Sequence, residues 1–215
     1  MSSSQWVLTF ELIGTFAFAI SGAATAARKN MDLFGIIILG ACTAMGGGMI
    51  RDILLGLTPP NMFRNPIYAI VSVISSLIVF LPPMKKLLAG NATYDMLLLI
   101  MDSIGLGVFT VVGINTGISN GSYNAFFLVT LGVLTGIGGG ILRDVFTGEP
   151  PYVFVKDFYA TASIIGAIVC VFLKKFLPFG TSALIAGALI FLLRLLAATY
   201  HWSLPKLSPL EDSKM

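Results

Sequence analysis

Charge is what this sequence has least of: 13 lysines and arginines, 10 aspartates and glutamates and one histidine among 215 residues. A soluble domain carries roughly a quarter of its residues charged, so a water-dispersed globule of this length is excluded. The formal net charge of +3 is small and gives no reason to expect a nucleic-acid partner. Cysteine is nearly absent. Cys42 and Cys170 both fall inside apolar runs and say nothing about a redox compartment. The lone histidine, His201, stands between Tyr200 and Trp202 at the end of the last apolar run, where the trio reads as an interfacial aromatic anchor. No His, Cys and carboxylate group has metal-ligand spacing, no Ser–His or Cys–His constellation is available, and no Walker-type phosphate loop occurs. These absences disfavour a membrane enzyme and exclude an ATP-driven pump for this chain alone. No cofactor and no structural metal are expected.

Long apolar runs are what remains. Hydrophobic residues make up 56% of the chain, and the mean hydropathy is +0.92. A hydrocarbon core of about 30 Å needs about 20 apolar helical residues. Seven stretches meet that requirement: 6–27, 33–57, 66–83, 96–117, 123–147, 158–177 and 181–200. They are apolar throughout and lack the period-2 alternation of a lipid-facing barrel, so the expected class is an all-α integral membrane protein. The first stretch is read as retained, because no Lys or Arg precedes it and Glu11 interrupts it.

The chain also matches itself. Gly46-Gly47-Gly48-Met49-Ile50-Arg51-Asp52 recurs as Gly138-Gly139-Gly140-Ile141-Leu142-Arg143-Asp144, an offset of 92. Thr43 returns as Thr135, Gly40 as Gly132, Gly56 as Gly148 and Pro59 as Pro151. Glu11-x-x-Gly14 returns as Asp102-x-x-Gly105 at an offset of 91, followed by Phe18 as Phe109 and Gly22 as Gly113. Three spans per copy is an odd number, so the second copy enters the membrane from the opposite side. The expected organisation is a first three-helix repeat over 1–92, an inverted second repeat over 93–178, and a seventh helix with a tail over 179–215. Arg28, Lys29, Lys85, Lys86, Lys156, Lys206 and Lys214 then share one face, and Arg64, Lys174 and Lys175 the other. The positive-inside rule makes the first face cytoplasmic, with the N-terminus outside, in the cell's inner (plasma) membrane.

Three adjacent glycines inside a span are costly, at about 1 kcal/mol each relative to alanine. They bare backbone carbonyls and permit a kink or break, which at membrane depth is tolerated where the backbone is buried in protein or faces a water-filled cavity. Gly46, Gly47, Gly48, Gly138, Gly139 and Gly140 are therefore candidates for glycine-broken second and fifth helices around a constriction. Close helix packing is the competing reading, through the small-residue faces Gly132-x3-Gly136-x3-Gly140 and Gly40-x3-Ala44-x3-Gly48. That reading leaves Gly47 and Gly139 unaccounted for.

Counting along the spans puts Arg51 and Arg143 at opposite depths. Arg51 cannot then pair with Asp144, and adjacent residues such as Arg51 and Asp52 do not face each other on a helix. The carboxylates at matching depth are Glu11 for Arg51 and Asp102 for Arg143, so two symmetry-related ion pairs are expected. Interfacial snorkelling is the alternative for both arginines, and more so for Arg194, which stands alone in the last span. Ser21, Thr25, Thr43, Asn115, Thr116 and Thr135 could line a path, or bond a carbonyl one turn back.

With the doubled Gly-Gly-Gly-x-x-Arg-Asp motif and Gly148-Glu149-Pro150-Pro151 in view, the sequence resembles the prokaryotic branch of the trimeric intracellular cation (TRIC) channel family over nearly its whole length. The resemblance implies a homotrimer in which each subunit holds its own pore between helices 1, 2, 4 and 5, with helices 2 and 5 kinked at the glycine triplets. It implies passive, potassium-favouring conduction of monovalent cations, with K+ or Na+ bound only in passage and membrane lipid as the other partner. Animal members carry a Lys-Glu-Val motif tied to phosphoinositides; this chain has no such tripeptide. Bacterial sequences of this type have also been labelled glycine transporters, and the residues alone allow either a gated pore or a carrier of glycine or another small zwitterion.

Overall fold

In the computed structural model, residues 3–121, 123–155 and 158–202 are described, and no strand occurs among them. Five helices are long and apolar enough to cross a membrane: α1 (Ser3–Arg28), α2 (Leu33–Leu54), and, using chain order throughout, α6 (Asn91–Asn120), α7 (Ala125–Phe146) and α10 (Phe179–Thr199). Between them lie α3 (Asn61–Arg64), α4 (Ile67–Ile78), α5 (Pro82–Ala89), α8 (Tyr152–Val155) and α9 (Tyr159–Leu173). The chain is thus a multi-pass helical membrane protein.

Local chemistry sets these boundaries. The Asp32 side chain caps α2 by accepting from the Gly35 N–H, and Asn124 caps α7 through the Phe127 N–H. Gly56 and Gly148 follow the ends of α2 and α7 at φ +69° and +70°, the left-handed conformation that glycine adopts without steric cost. The third expected span, 66–83, is not one helix. Pro82 and Pro83 open α5 instead of continuing α4, and the two helices meet at a 63° bend. The sixth expected span contains α9, whose 15 residues reach only about 22 Å.

Packing repeats the duplication. α1 lies on α2 and α4, α6 lies on α7 and α9, and α1 packs on α6 and α2 on α7 at the centre. Gly14 faces Phe109 while Gly105 faces Phe18, so α1 and α6 run antiparallel. Gly47 faces Thr135 while Gly139 faces Thr43, so α2 and α7 are antiparallel as well. The repeats are therefore inverted about the centre of the bundle. α10, which has no copy, rests on α6 and α9.

One expectation is corrected here. Neither α2 nor α7 is broken at its glycine triplet; each is continuous through it. The triplets are instead where the two central helices cross. A Cβ on Gly47 would run into the Thr135 carbonyl oxygen, and a Cβ on Gly139 into that of Thr43. Gly138 would meet the Gly47 Cα at 3.1 Å. Gly47 and Gly139, which small-residue faces left unaccounted for, are the positions of backbone-to-backbone approach.

Candidate functional site

Two buried polar clusters sit at opposite ends of the central helices, each built from the same positions of one repeat. In the first, Arg51 near the end of α2 donates from Nη1 to Glu11 Oε1 at 3.3 Å and from Nε to Asp52 Oδ1 at 2.8 Å. The other Asp52 oxygen accepts from the Asn61 N–H at 2.7 Å, and the Tyr68 hydroxyl donates to the second Glu11 oxygen. In the second, Arg143 near the end of α7 donates to Asp102 at 2.6 Å and to Asp144 at 2.8 Å. Asp144 accepts from the Tyr152 N–H at 2.8 Å, and Ser21 of the first repeat accepts from Arg143 at 2.6 Å.

The two ion pairs expected from depth, Glu11–Arg51 and Asp102–Arg143, are thus formed. The statement that Arg51 and Asp52 do not face each other is corrected: each arginine also pairs with its sequence neighbour. Spacing rules describe where Cβ atoms point, and a long arginine side chain curls back along the helix to the adjacent carboxylate. Snorkelling is excluded as well, since Arg51 is 1% and Arg143 0% exposed. Two charges leave water at a cost of several kcal/mol each, which is recovered only when every pairing is good. Each guanidinium therefore stands against two carboxylates instead of one.

The neutral polar residues divide. Thr43, Thr135, Thr25 and Thr116 bond carbonyls one turn back, at Leu39, Leu131, Ser21 and Val112. Asn115 lines a cavity of about 440 Å³ with Trp6, Glu11, Tyr68 and Ser119 at the first end. A cavity of about 520 Å³ opens at the second end, lined among others by Asp95, Asp102, Tyr152, Arg194 and Trp202. Each cluster thus lends one carboxylate, Glu11 or Asp102, to a cavity.

Sequence reasoning missed the tyrosines. Tyr68 and Tyr159 are related by the offset of 91, as are Ser72 and Ser163, and that repetition is the signal that would have found them. The two ends differ in how they use the pair. Tyr68 is bonded to Glu11, whereas among the described residues the buried Tyr159 hydroxyl, Asp102 Oδ2, Arg143 Nη2 and Arg194 Nε have no hydrogen-bond partner. Arg194, 4% exposed, lies over the Tyr159 ring at 4.8 Å from its centroid. Among the described residues no group of three or more His, Cys, Asp or Glu side chains is placed to hold a metal ion. Lys156, Lys206 and Lys214, which share in the orientation argument, lie outside the described residues.

Comparison with known proteins gives a consistent result. A family model described as Glycine transporter matches residues 8–83 and 99–175, one copy per repeat. The UPF0126 inner membrane protein YadS of Escherichia coli strain K12 is 36% identical over 203 residues, covering 93% of this chain and 95% of YadS. A crystal structure of a prokaryotic TRIC channel in 0.5 M KCl is 34% identical with a TM-score of 0.86, over 94% of this chain and 100% of that one. The TRIC trimeric intracellular cation channel orthologue from Rhodobacter sphaeroides is 31% identical with a TM-score of 0.83, over 91% of this chain and 98% of that one.

Proposed function

The chain belongs to the family of the prokaryotic TRIC channels and the UPF0126 membrane proteins, and from that membership we propose that it passively conducts monovalent cations, favouring potassium, along a path inside each subunit. The path runs between α1, α2, α6 and α7, from the cavity at Glu11 to the cavity at Asp102. One observation carries the choice of cation over anion. At the Glu11 end a single buried arginine faces two carboxylates, Glu11 and Asp52, leaving one negative charge in excess when all are ionised; at the other end Asp102, Asp144 and Asp95 outnumber Arg143 and Arg194 by the same one. A carboxylate at a narrow mouth raises the local concentration of cations and repels anions.

The crossing of α2 and α7 at the glycine triplets is the constriction in this reading, held shut by backbone contact. Bending at Gly46–Gly48 and Gly138–Gly140 opens it, since glycine gives least resistance to such a bend. Seven spans are proposed, with α4 and the short α9 as the third and sixth. The subunits form a homotrimer in the inner membrane, with the N-terminus outside, the C-terminus cytoplasmic, and the Asp102 end facing the cytoplasm.

Single-channel recording of purified protein in a planar bilayer under a potassium chloride gradient tests this. Discrete current steps reversing near the potassium equilibrium potential are expected. The matched family description favours a second reading, a carrier of glycine. Electrical silence with saturable glycine uptake into proteoliposomes decides for the carrier.

A further inference from the structure

The 520 Å³ cavity at the second cluster differs from its counterpart in one respect that the duplication cannot supply. Arg194 comes from α10, the helix without a copy, and the residue is 4% exposed in the cavity wall. Among the described residues it has no carboxylate partner, and its Nε is unbonded. The face of Tyr159 offers a cation–π contact, which satisfies none of the donors. Across the same cavity Asp102 keeps Oδ2 unbonded while Oδ1 serves Arg143, and the exposed Asp95 adds a second carboxylate. A buried ion left without a partner is costly, so both signs of charge here are available to a ligand.

We propose that this cavity binds a small zwitterion, its oxyanion held by Arg194 and its ammonium by Asp102 and Asp95. A simple anion would meet two carboxylates, and a passing cation leaves Arg194 without a partner; a group carrying both charges satisfies both walls. Leu98, Leu99 and Val155 line the rest and suit an aliphatic portion. The volume falls in the usual range for small-molecule sites and exceeds what glycine fills. The same chemistry is presented by a free aliphatic amino acid and by the headgroup of an ethanolamine phospholipid. Binding does not presuppose conduction, so its failure leaves the bilayer recordings to stand or fall alone.

Trp202 lines the cavity and is one of two tryptophans in the chain. In a Trp6→Phe background its fluorescence reports occupancy. The protein is reconstituted in nanodiscs of anionic phosphatidylglycerol and titrated with leucine and with N-acetyl-leucine, which lacks the ammonium. A saturable shift with leucine and none with N-acetyl-leucine is expected if the ligand is a free amino acid. If it is the lipid headgroup, phosphatidylethanolamine nanodiscs give the shift and leucine adds nothing. Arg194→Gln should weaken the response roughly tenfold or more, the scale of one charge-assisted hydrogen bond. Asp95→Asn, at an exposed position and harmless to folding, should weaken it as well. The proposal is overturned by no shift in any arm, by equal shifts with leucine and N-acetyl-leucine, or by a shift that survives both substitutions.

Discussion

Tyr68 and Tyr159 occupy equivalent positions and should respond differently to the loss of one oxygen atom. Tyr68→Phe removes a hydrogen bond to the Glu11 side chain and leaves a buried carboxyl oxygen short of a donor. Its expected cost is about 1.5–3 kcal/mol. Tyr159→Phe removes a buried hydroxyl that has no partner among the described residues, so it should be neutral or slightly stabilising. Thermal unfolding of both variants in one detergent checks the contrast, and equal losses would contradict it. Arg143→Gln leaves Asp102 and Asp144 without their cation and should destabilise by about 3–5 kcal/mol in the same assay. Pairing across helices was legible in the sequence because depth along a span is countable, which brought Glu11 to Arg51 and Asp102 to Arg143. Pairing along a helix was not, because side-chain length overrides the spacing of Cβ atoms at Arg51–Asp52 and Arg143–Asp144.

At the scale of elements, the glycine triplets were conspicuous in the sequence and their work was misjudged. Helix propensity argued for a break, but propensity is a weak prior that packing overrides. Two glycine-rich helices that cross can each stay continuous because the partner backbone fills the space where side chains would be. Gly47→Ala and Gly139→Ala should therefore push α2 and α7 apart, at about 1–3 kcal/mol each. Gly180→Ala, at the start of α10 with nothing within 4 Å of the new carbon, should be tolerated. Unfolding midpoints of the three variants test this, and Gly47→Ala matching Gly180→Ala would show that the crossing has slack. The break that does exist lies at Pro82–Pro83, where hydropathy alone ran one stretch from 66 to 83. A window average cannot see that a proline lacks the N–H to continue a helix and is well suited to begin one.

For the whole molecule, inversion was expected from the three spans predicted for each copy, and α1 runs antiparallel to α6 and α2 to α7. The position of α10 was not readable, because a helix without a copy has no symmetry mate to fix it. α10 is also what makes the ends unequal, by placing Arg194 with Asp102 in the lining of one cavity, whereas Glu11 at the other end is bonded by Arg51 and Tyr68. Which end faces the cytoplasm then decides which cavity meets which solution. Arg28 ends α1 and Lys29 follows it, while Arg64 ends α3 in the connection between α2 and α4. In a background of Cys42→Ala and Cys170→Ala, a membrane-impermeant maleimide applied to intact cells should label Arg64→Cys. It should reach Lys29→Cys only after the cells are opened. The reverse pattern would turn the molecule over, placing Asp102 and Arg194 against the external solution. A ligand of that cavity would then be drawn from the external solution instead of the cytoplasm. Labelling of both sites in intact cells would mean that the charge bias is too weak to fix one orientation.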